Sequence, residues 1–259
     1  MILAAAGVAA ALVAPAWAVN LVQNGGFTSN NGLNQFNYGE VVTDWSVPTN
    51  QGDGYAFLFQ GTTADTSGSG AGGSQYGAVG LWGPANGSNN GYVPPPGSPF
   101  FVGLDSDYES APIQQDISGL VSGQKYTVNF VYAFAQQYWF TGPTSQYWMA
   151  QLGNNPITWT PAGLNGSWST NNQYCTTATV SLPSEGFSGW ASDSCTFTAT
   201  GASEWLSFMA WGNIQVPPFA LLTDVSMNAD VPEPSTWALL IAGLLGMMGF
   251  AAWRRGRTS

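Results

Sequence analysis

The residues able to do chemistry are few. The 259-residue chain carries fourteen Asp and Glu, four Lys and Arg, two Cys and no His. Without an imidazole there is no Ser-His-Asp or Cys-His arrangement, so general acid and base work would fall to carboxylates. A pair held roughly 5 to 9 Å apart hydrolyses glycosidic bonds, and the candidates are Glu40, Asp44, Glu109, Glu185 and Glu204. Their spacing does not distinguish them from surface acids, and no catalytic residue is assigned. Asp105-Ser106-Asp107-Tyr108-Glu109 alternates carboxylates but lacks the Gly and distal Glu of an EF-hand loop, so a solvated turn is expected. Gly68, Gly70, Gly72 and Gly73 open no helix and precede no Lys, which excludes a phosphate cradle.

Cys175 and Cys195 lack both a His partner and Cys-x-x-Cys spacing, so a metal or redox role has no support. The even count instead predicts a Cys175–Cys195 disulfide, closing a loop of about twenty residues and worth roughly 3 kcal/mol in the chain-entropy model.

Binding chemistry is better represented. Twelve Trp and ten Tyr sit among many Asn, Gln, Ser and Thr, and sugar-binding surfaces combine flat aromatic faces with such hydrogen bonders. The densest cluster is Gln136-Gln137-Tyr138-Trp139-Phe140, followed after Gly142-Pro143 by Gln146-Tyr147-Trp148. Tyr138, Trp139, Tyr147 and Trp148 are the candidate glycan contacts; Trp159, Trp168 and Trp190 lie in turn-like contexts that could also expose them. The competing reading packs these rings into a core. Between residues 19 and 230 thirteen carboxylates face the single Lys125, a balance of −12. That sign excludes a nucleic-acid binder.

The elements that position these groups read as strands. In Lys125 to Ala135, Tyr126, Val128, Phe130, Tyr132 and Phe134 alternate with the intervening residues, the period-two pattern of a strand with one face in a core. Shorter runs recur at Val41–Val47, Tyr55–Phe59, Ala78–Trp82, Phe100–Leu104, Ile113–Ile117, Tyr147–Leu152, Tyr174–Leu182, Cys195–Thr200, Trp205–Trp211 and Phe219–Met227. Gly-, Pro- and Asn-rich gaps separate them, which predicts an all-β sandwich or jelly roll of one domain. Thr66–Ser74 and Asn86–Pro99 exceed hairpin length and are expected to be flexible surface loops.

The two ends differ in texture. Met1 to Ala14 is apolar, and Ala16-Trp17-Ala18 supplies a small-x-small site, predicting a signal peptide over residues 1–18 cut by signal peptidase after Ala18. No basic residue precedes the apolar run, which points to a true start elsewhere. At the other end, Pro232 and Pro234 favour an extended segment. Trp237 to Trp253 is uncharged over seventeen residues, about 25 Å as a helix, and Arg254, Arg255 and Arg257 follow. That order predicts a transmembrane helix over 237–253 with a cytoplasmic C-terminus.

Val231-Pro232-Glu233-Pro234, the apolar run and the arginines together resemble the PEP-CTERM sorting signal of Gram-negative bacteria. The resemblance implies recognition by a membrane-embedded exosortase, cleavage near the Pro-Glu-Pro motif, and delivery to the cell surface or its exopolysaccharide matrix. A second resemblance lies in the body. Asn20-Leu21-Val22-Gln23-Asn24-Gly25-Gly26-Phe27 with Trp45, the segments Ile113–Ile117 and Gly123–Tyr126, and the closing Phe219–Met227 resemble galactose-binding-like jelly rolls. This implies a structural Ca²⁺ between first and last strands, with Asp224 at the closing position, although Thr28 stands where Glu is usual. No other cofactor is implied.

The expected protein is therefore exported: signal peptide 1–18, jelly-roll-like β-sandwich 19–230, sorting signal 231–259. Its expected role is structural or adhesive, without chemistry of its own. The alternative is a lectin-like carbohydrate-binding module using surface aromatics.

Overall fold

The computed structural model describes residues 19–39, 42–48, 54–66, 74–75, 77–160, 167–168, 173–212, 216–230, 243–250, 253 and 256. Among them the strands are, in chain order, β1 (Ala56–Gln60), β2 (Phe100–Asp105), β3 (Ile113–Ser118), β4 (Lys125–Gln136), β5 (Thr144–Gly153), β6 (Trp159–Thr160), β7 (Ser167–Trp168), β8 (Gln173–Thr176), β9 (Val180–Leu182), β10 (Ala191–Thr198), β11 (Ser203–Gly212) and β12 (Pro218–Ala229). Sheet I has the order β1-β2-β12-β4-β10, and sheet II the order β3-β11-β5-β8 with β9 also on β5. The pairings are antiparallel, and the two sheets form a jelly-roll-like β-sandwich. The chain divides into two units, 19–229 and 1–18 with 230–259.

The period-two pattern of β4 sets the core. Tyr126, Val128, Phe130 and Phe134 are buried between the sheets, with Tyr132 packed against them. They meet Trp148, Ala150 and Leu152 of β5 and Leu206, Phe208 and Ala210 of β11, and each large apolar side chain contributes about 1.5–3 kcal/mol by leaving water. The opening segment seals one end: Trp45 donates its indole N–H to the Asn24 carbonyl at 3.1 Å and packs on Phe27 at 5.4 Å between ring centroids. Leu21 N–H and Val225 N–H bond to the Met227 and Gly25 carbonyls, so 20–25 runs beside β12 without strand pairing.

A Cys175–Cys195 disulfide joins β8, the edge of sheet II, to β10, the edge of sheet I, with Cα atoms 6.1 Å apart. It therefore ties together the two sheets at one open side of the sandwich. Gln173 adds to this closure by bonding both the N–H and the carbonyl of Thr198, which blunts the β10 edge.

Several expectations are corrected. Val42–Val47 and Ala78–Trp82 form only isolated bridges, Asn30 with Val42, Ser46 with Gln114 and Leu81 with Gln137. Tyr174–Leu182 divides into β8 and β9. Asn86–Pro99 is a fixed cover over the outer face of sheet I. Tyr55, Phe57, Phe59, Phe101, Ala133, Ala135, Phe219 and Leu221 turn outward there and need burial, which Tyr92, Leu81 and Val79 provide. Tyr92 donates its hydroxyl to the Gly61 carbonyl, and Asn90 bonds the Trp82 and Glu185 carbonyls.

Residues 1–18 with Ala16 and Ala18, Glu40, Val41, 67–73, the Val231–Pro234 motif, and 237–242 and 251–252 of the expected spanning helix lie outside the described residues. In the tail, 243–250 and 253 are helical and exposed. Among the described residues no helix is long and apolar enough to cross a membrane.

Candidate functional site

Strand alternation separates the four candidate aromatics. Trp148 lies on the inner face of β5, fully buried, and donates its indole N–H to the Leu221 carbonyl at 3.2 Å. It is a core residue and cannot touch a ligand. Tyr147, its neighbour, faces outward and stacks on Trp211 with centroids 6.4 Å apart and 17° between planes.

Tyr138 and Trp139 stand at the end of β4, where the chain turns toward β5. Trp139 is 75% exposed and takes φ +78°, a left-handed backbone that a bulky residue adopts at a cost of about 1–3 kcal/mol. Neighbouring bonds hold it there. Tyr138 N–H bonds the Gly80 carbonyl, Gln137 bridges to Leu81, and the Trp82 indole N–H bonds the Phe140 carbonyl at 2.7 Å. The rings build a tiered cluster: Trp82 meets Tyr138 edge-on at 4.7 Å, and Tyr138 meets Trp139 at 4.3 Å. Phe140, 42% exposed, extends the patch. An apolar ring held outward on a strained backbone is a group supported for contact rather than for packing.

Trp82 and Trp211 are the members of these clusters that sequence reasoning missed, and Phe140 was named in the aromatic run without being singled out as a contact. Trp211 was legible from parity, since it lies two residues beyond Met209 on the outward face of β11. Trp190, expected in an exposing turn, instead packs on Phe101 and Phe187 and donates to the Val93 carbonyl. The backbones of Trp159 and Trp168 pair across β6 and β7; their side chains lie outside the described residues.

The outer face of sheet II also carries Trp205 and the 62% exposed Tyr174. Between them and the Tyr147–Trp211 pair its centre is closed. Gln114, Ser207 and Gln151 are buried there, and the N–H of fully buried Ile157 bonds Gln114 Oε1 at 3.0 Å.

Among the described residues the candidate carboxylates lie apart in separate settings. Asp105 is fully buried, not solvated, and Asp107 is nearly so. Asp105 Oδ1 accepts the N–H groups of Asp107 and Tyr108, each at 2.9 Å, while Oδ2 has no hydrogen-bond partner. Burial therefore pushes its carboxyl up to about 8, against the lowering effect of those two bonds. Glu109 accepts from Gln75 at 2.6 Å, and Glu204 Oε1 accepts from the Thr200 N–H and hydroxyl. Asp44 and Glu185 occupy left-handed turn positions.

Asp224 sits in a bulge of β12, where pairing with β4 shifts between Thr223 and Ser226. Its carboxyl is raised by desolvation, opposed by a bond from the Ser98 N–H. Gly97, at φ +86°, lets the loop approach, since a Cβ there would run into Asp224 Oδ2. Among the described residues no group of three His, Cys, Asp or Glu could hold a metal, and Thr28 is exposed without a carboxylate to offer. The residues present do not fit the Ca²⁺ site that the jelly-roll resemblance implies.

Residues 230–256 match the family model of the PEP-CTERM protein-sorting motif, which marks the tail as a sorting signal. No curated protein matches the chain. Among solved structures it is similar to TmCBM61 in complex with β-1,4-galactotriose (11% identity, 82% of this chain and 99% of that one, TM-score 0.41). It is also similar to a CBM4 structure (17%, 80% and 99%, TM-score 0.36). A third is the Stig cyclase Fisc from Fischerella sp. TAU (14%, 84% and 100%, TM-score 0.39).

Proposed function

We propose that this chain is an exported surface or matrix protein that holds polysaccharide by ring stacking on Trp139, acting by binding and without chemistry of its own. The observation that carries this reading is a Trp held 75% exposed at φ +78°, backed by Tyr138 and Trp82. A tilted pair of rings with an open outer face suits the apolar face of a pyranose. The Tyr147–Trp211 pair offers a second stacking surface on sheet II. The acidic body, −12 over residues 19–230, favours neutral over anionic glycans.

In this proposal the tail directs delivery. A signal peptidase removes residues 1–18, the 237–253 segment holds the precursor in the inner membrane of a Gram-negative cell, and an exosortase cuts near Val231–Pro234. Mass spectrometry of the mature surface protein should find a C-terminus near residues 231–235. An intact Ser259 in that pool would sink the processing step. For binding, glycan-array profiling of the full chain should give a defined set of neutral glycans, reduced by Trp139→Ala; no signal on any glycan would count against the reading.

A further inference from the structure

The polar half of sheet I carries a feature that the aromatic sites leave unused. Where the loop cover ends, Asn129 and Val131 of β4, Ser192 and Ser194 of β10, and Asp224 at the β12 bulge line an open groove of about 300 Å³. The register explains how they converge. Ser192 lies opposite Val131 and Ser194 opposite Asn129, so all four share the outward face, and the bulge turns the extra residue Asp224 toward them. None of the side chains of Asn129, Ser192 and Ser194 has a hydrogen-bond partner among the described residues, whereas most polar side chains on the loop cover are engaged. Asp224, by contrast, is held in place by the Ser98 N–H between Gly26 and Gly97.

We propose that this groove is a further saccharide site, distinct from the aromatic surfaces, in which Asp224 accepts hydroxyl groups of a short neutral sugar unit while Asn129, Ser192 and Ser194 complete its hydrogen bonds over the Val131 side chain. The chemistry selects the ligand class. A carboxylate accepts from vicinal hydroxyls in charge-assisted bonds, and Ser and Asn both donate and accept, as sugar hydroxyls do. No cationic side chain lines the groove, which disfavours anionic sugars, and its carboxylates are too few for a hard metal. Its volume lies at the lower end of ligand sites, matching a short saccharide unit.

Asn129 lies seven residues before Gln136, roughly 20 Å along β4 from the Trp139 turn. With the Trp139 reading, on which this part alone rests, one domain would then hold two glycan segments and cross-link a matrix.

The test uses the full chain in a detergent without sugar headgroups, titrated with cellobiose, lactose, xylobiose and maltose by saturation-transfer NMR. Asp224→Asn keeps the left-handed backbone at φ +48°, which Asn tolerates, and is expected to weaken one binding class about tenfold or more. Ser194→Trp, on the exposed face, should fill the groove and abolish that class, while Trp139→Ala leaves it intact. Unchanged binding in both groove variants, or loss of all binding in Trp139→Ala alone, would overturn the groove and leave the Trp139 reading standing. One class lost in Asp224→Asn with no class lost in Trp139→Ala supports the groove and counts against Trp139. Preference for a glucosamine dimer over every neutral disaccharide would overturn the assignment of neutral hydroxyl recognition.

Discussion

Replacing Asp105 by Asn should make the domain more stable, and by more at higher pH. Asp105 is fully buried on β2 with Oδ2 unpaired, so the native state keeps its proton up to about pH 8, while the unfolded chain releases it near 3.8. Between those values the unfolded state binds fewer protons, and stability falls as pH rises, by at most about 1.4 kcal/mol per pH unit. Below 3.8 the full contribution is present; above about 8 the loss is complete. Over that window it amounts to about 6 kcal/mol as an upper bound, which relaxation around the carboxyl reduces. An Asn side chain keeps the Oδ1 acceptor for the Asp107 and Tyr108 N–H groups and has no charge to desolvate. Chemical denaturation of both proteins at about pH 4, 6.5 and 9 isolates the effect, because the other titrating groups are common to both. The stability difference should shift in favour of the Asp105→Asn variant with each step. A difference independent of pH would refute the assignment of a neutral buried carboxyl.

Three further outcomes follow from the fold. Replacing both Cys175 and Cys195 by Ser should cost roughly 3 kcal/mol in denaturant midpoint analysis, because the bridge joins the edges of two sheets across a separation of 20 residues. Gly25→Ala should destabilise by about 1–3 kcal/mol, since a Cβ there runs into the Val225 carbonyl and parts the opening segment from β12; thermal unfolding reads this directly. Trp148→Ala should cost about 3–5 kcal/mol as a core cavity, whereas Trp148→Phe, still folded, should bind glycans as the parent does.

The sandwich was legible where a strand buries one face. Lys125–Ala135 alternates cleanly because β4 is an interior strand of sheet I and its even-numbered residues meet sheet II. Phe219–Met227 and Trp205–Trp211 were legible for the same reason. Val42–Val47 and Ala78–Trp82 looked alike but are not strands: Val42, Trp45 and Leu81 are plugs delivered by irregular backbone to long-range pockets, and a local pattern carries no record of that. Trp148 was misassigned although its parity with Ala150 and Leu152 pointed inward, since aromatic density outweighed alternation. The burial of Asp105 and the fixing of Asn86–Pro99 depend on partners such as Tyr55, Gly61 and Glu185 far along the chain. Of the candidate site, Tyr138 and Trp139 were visible as composition; the left-handed backbone that turns Trp139 outward was not.

That backbone allows a direct test of glycan contact by Trp139. Trp139→Gly removes the ring and relieves the φ +78° strain, so stability should stay level or rise by about 1 kcal/mol. Sedimentation of the full chain with insoluble neutral polysaccharides, alongside thermal unfolding of both proteins, reads the two effects together. Glycan capture lost at undiminished stability is the predicted result. Capture by the Trp139→Gly variant equal to that of the parent would contradict it.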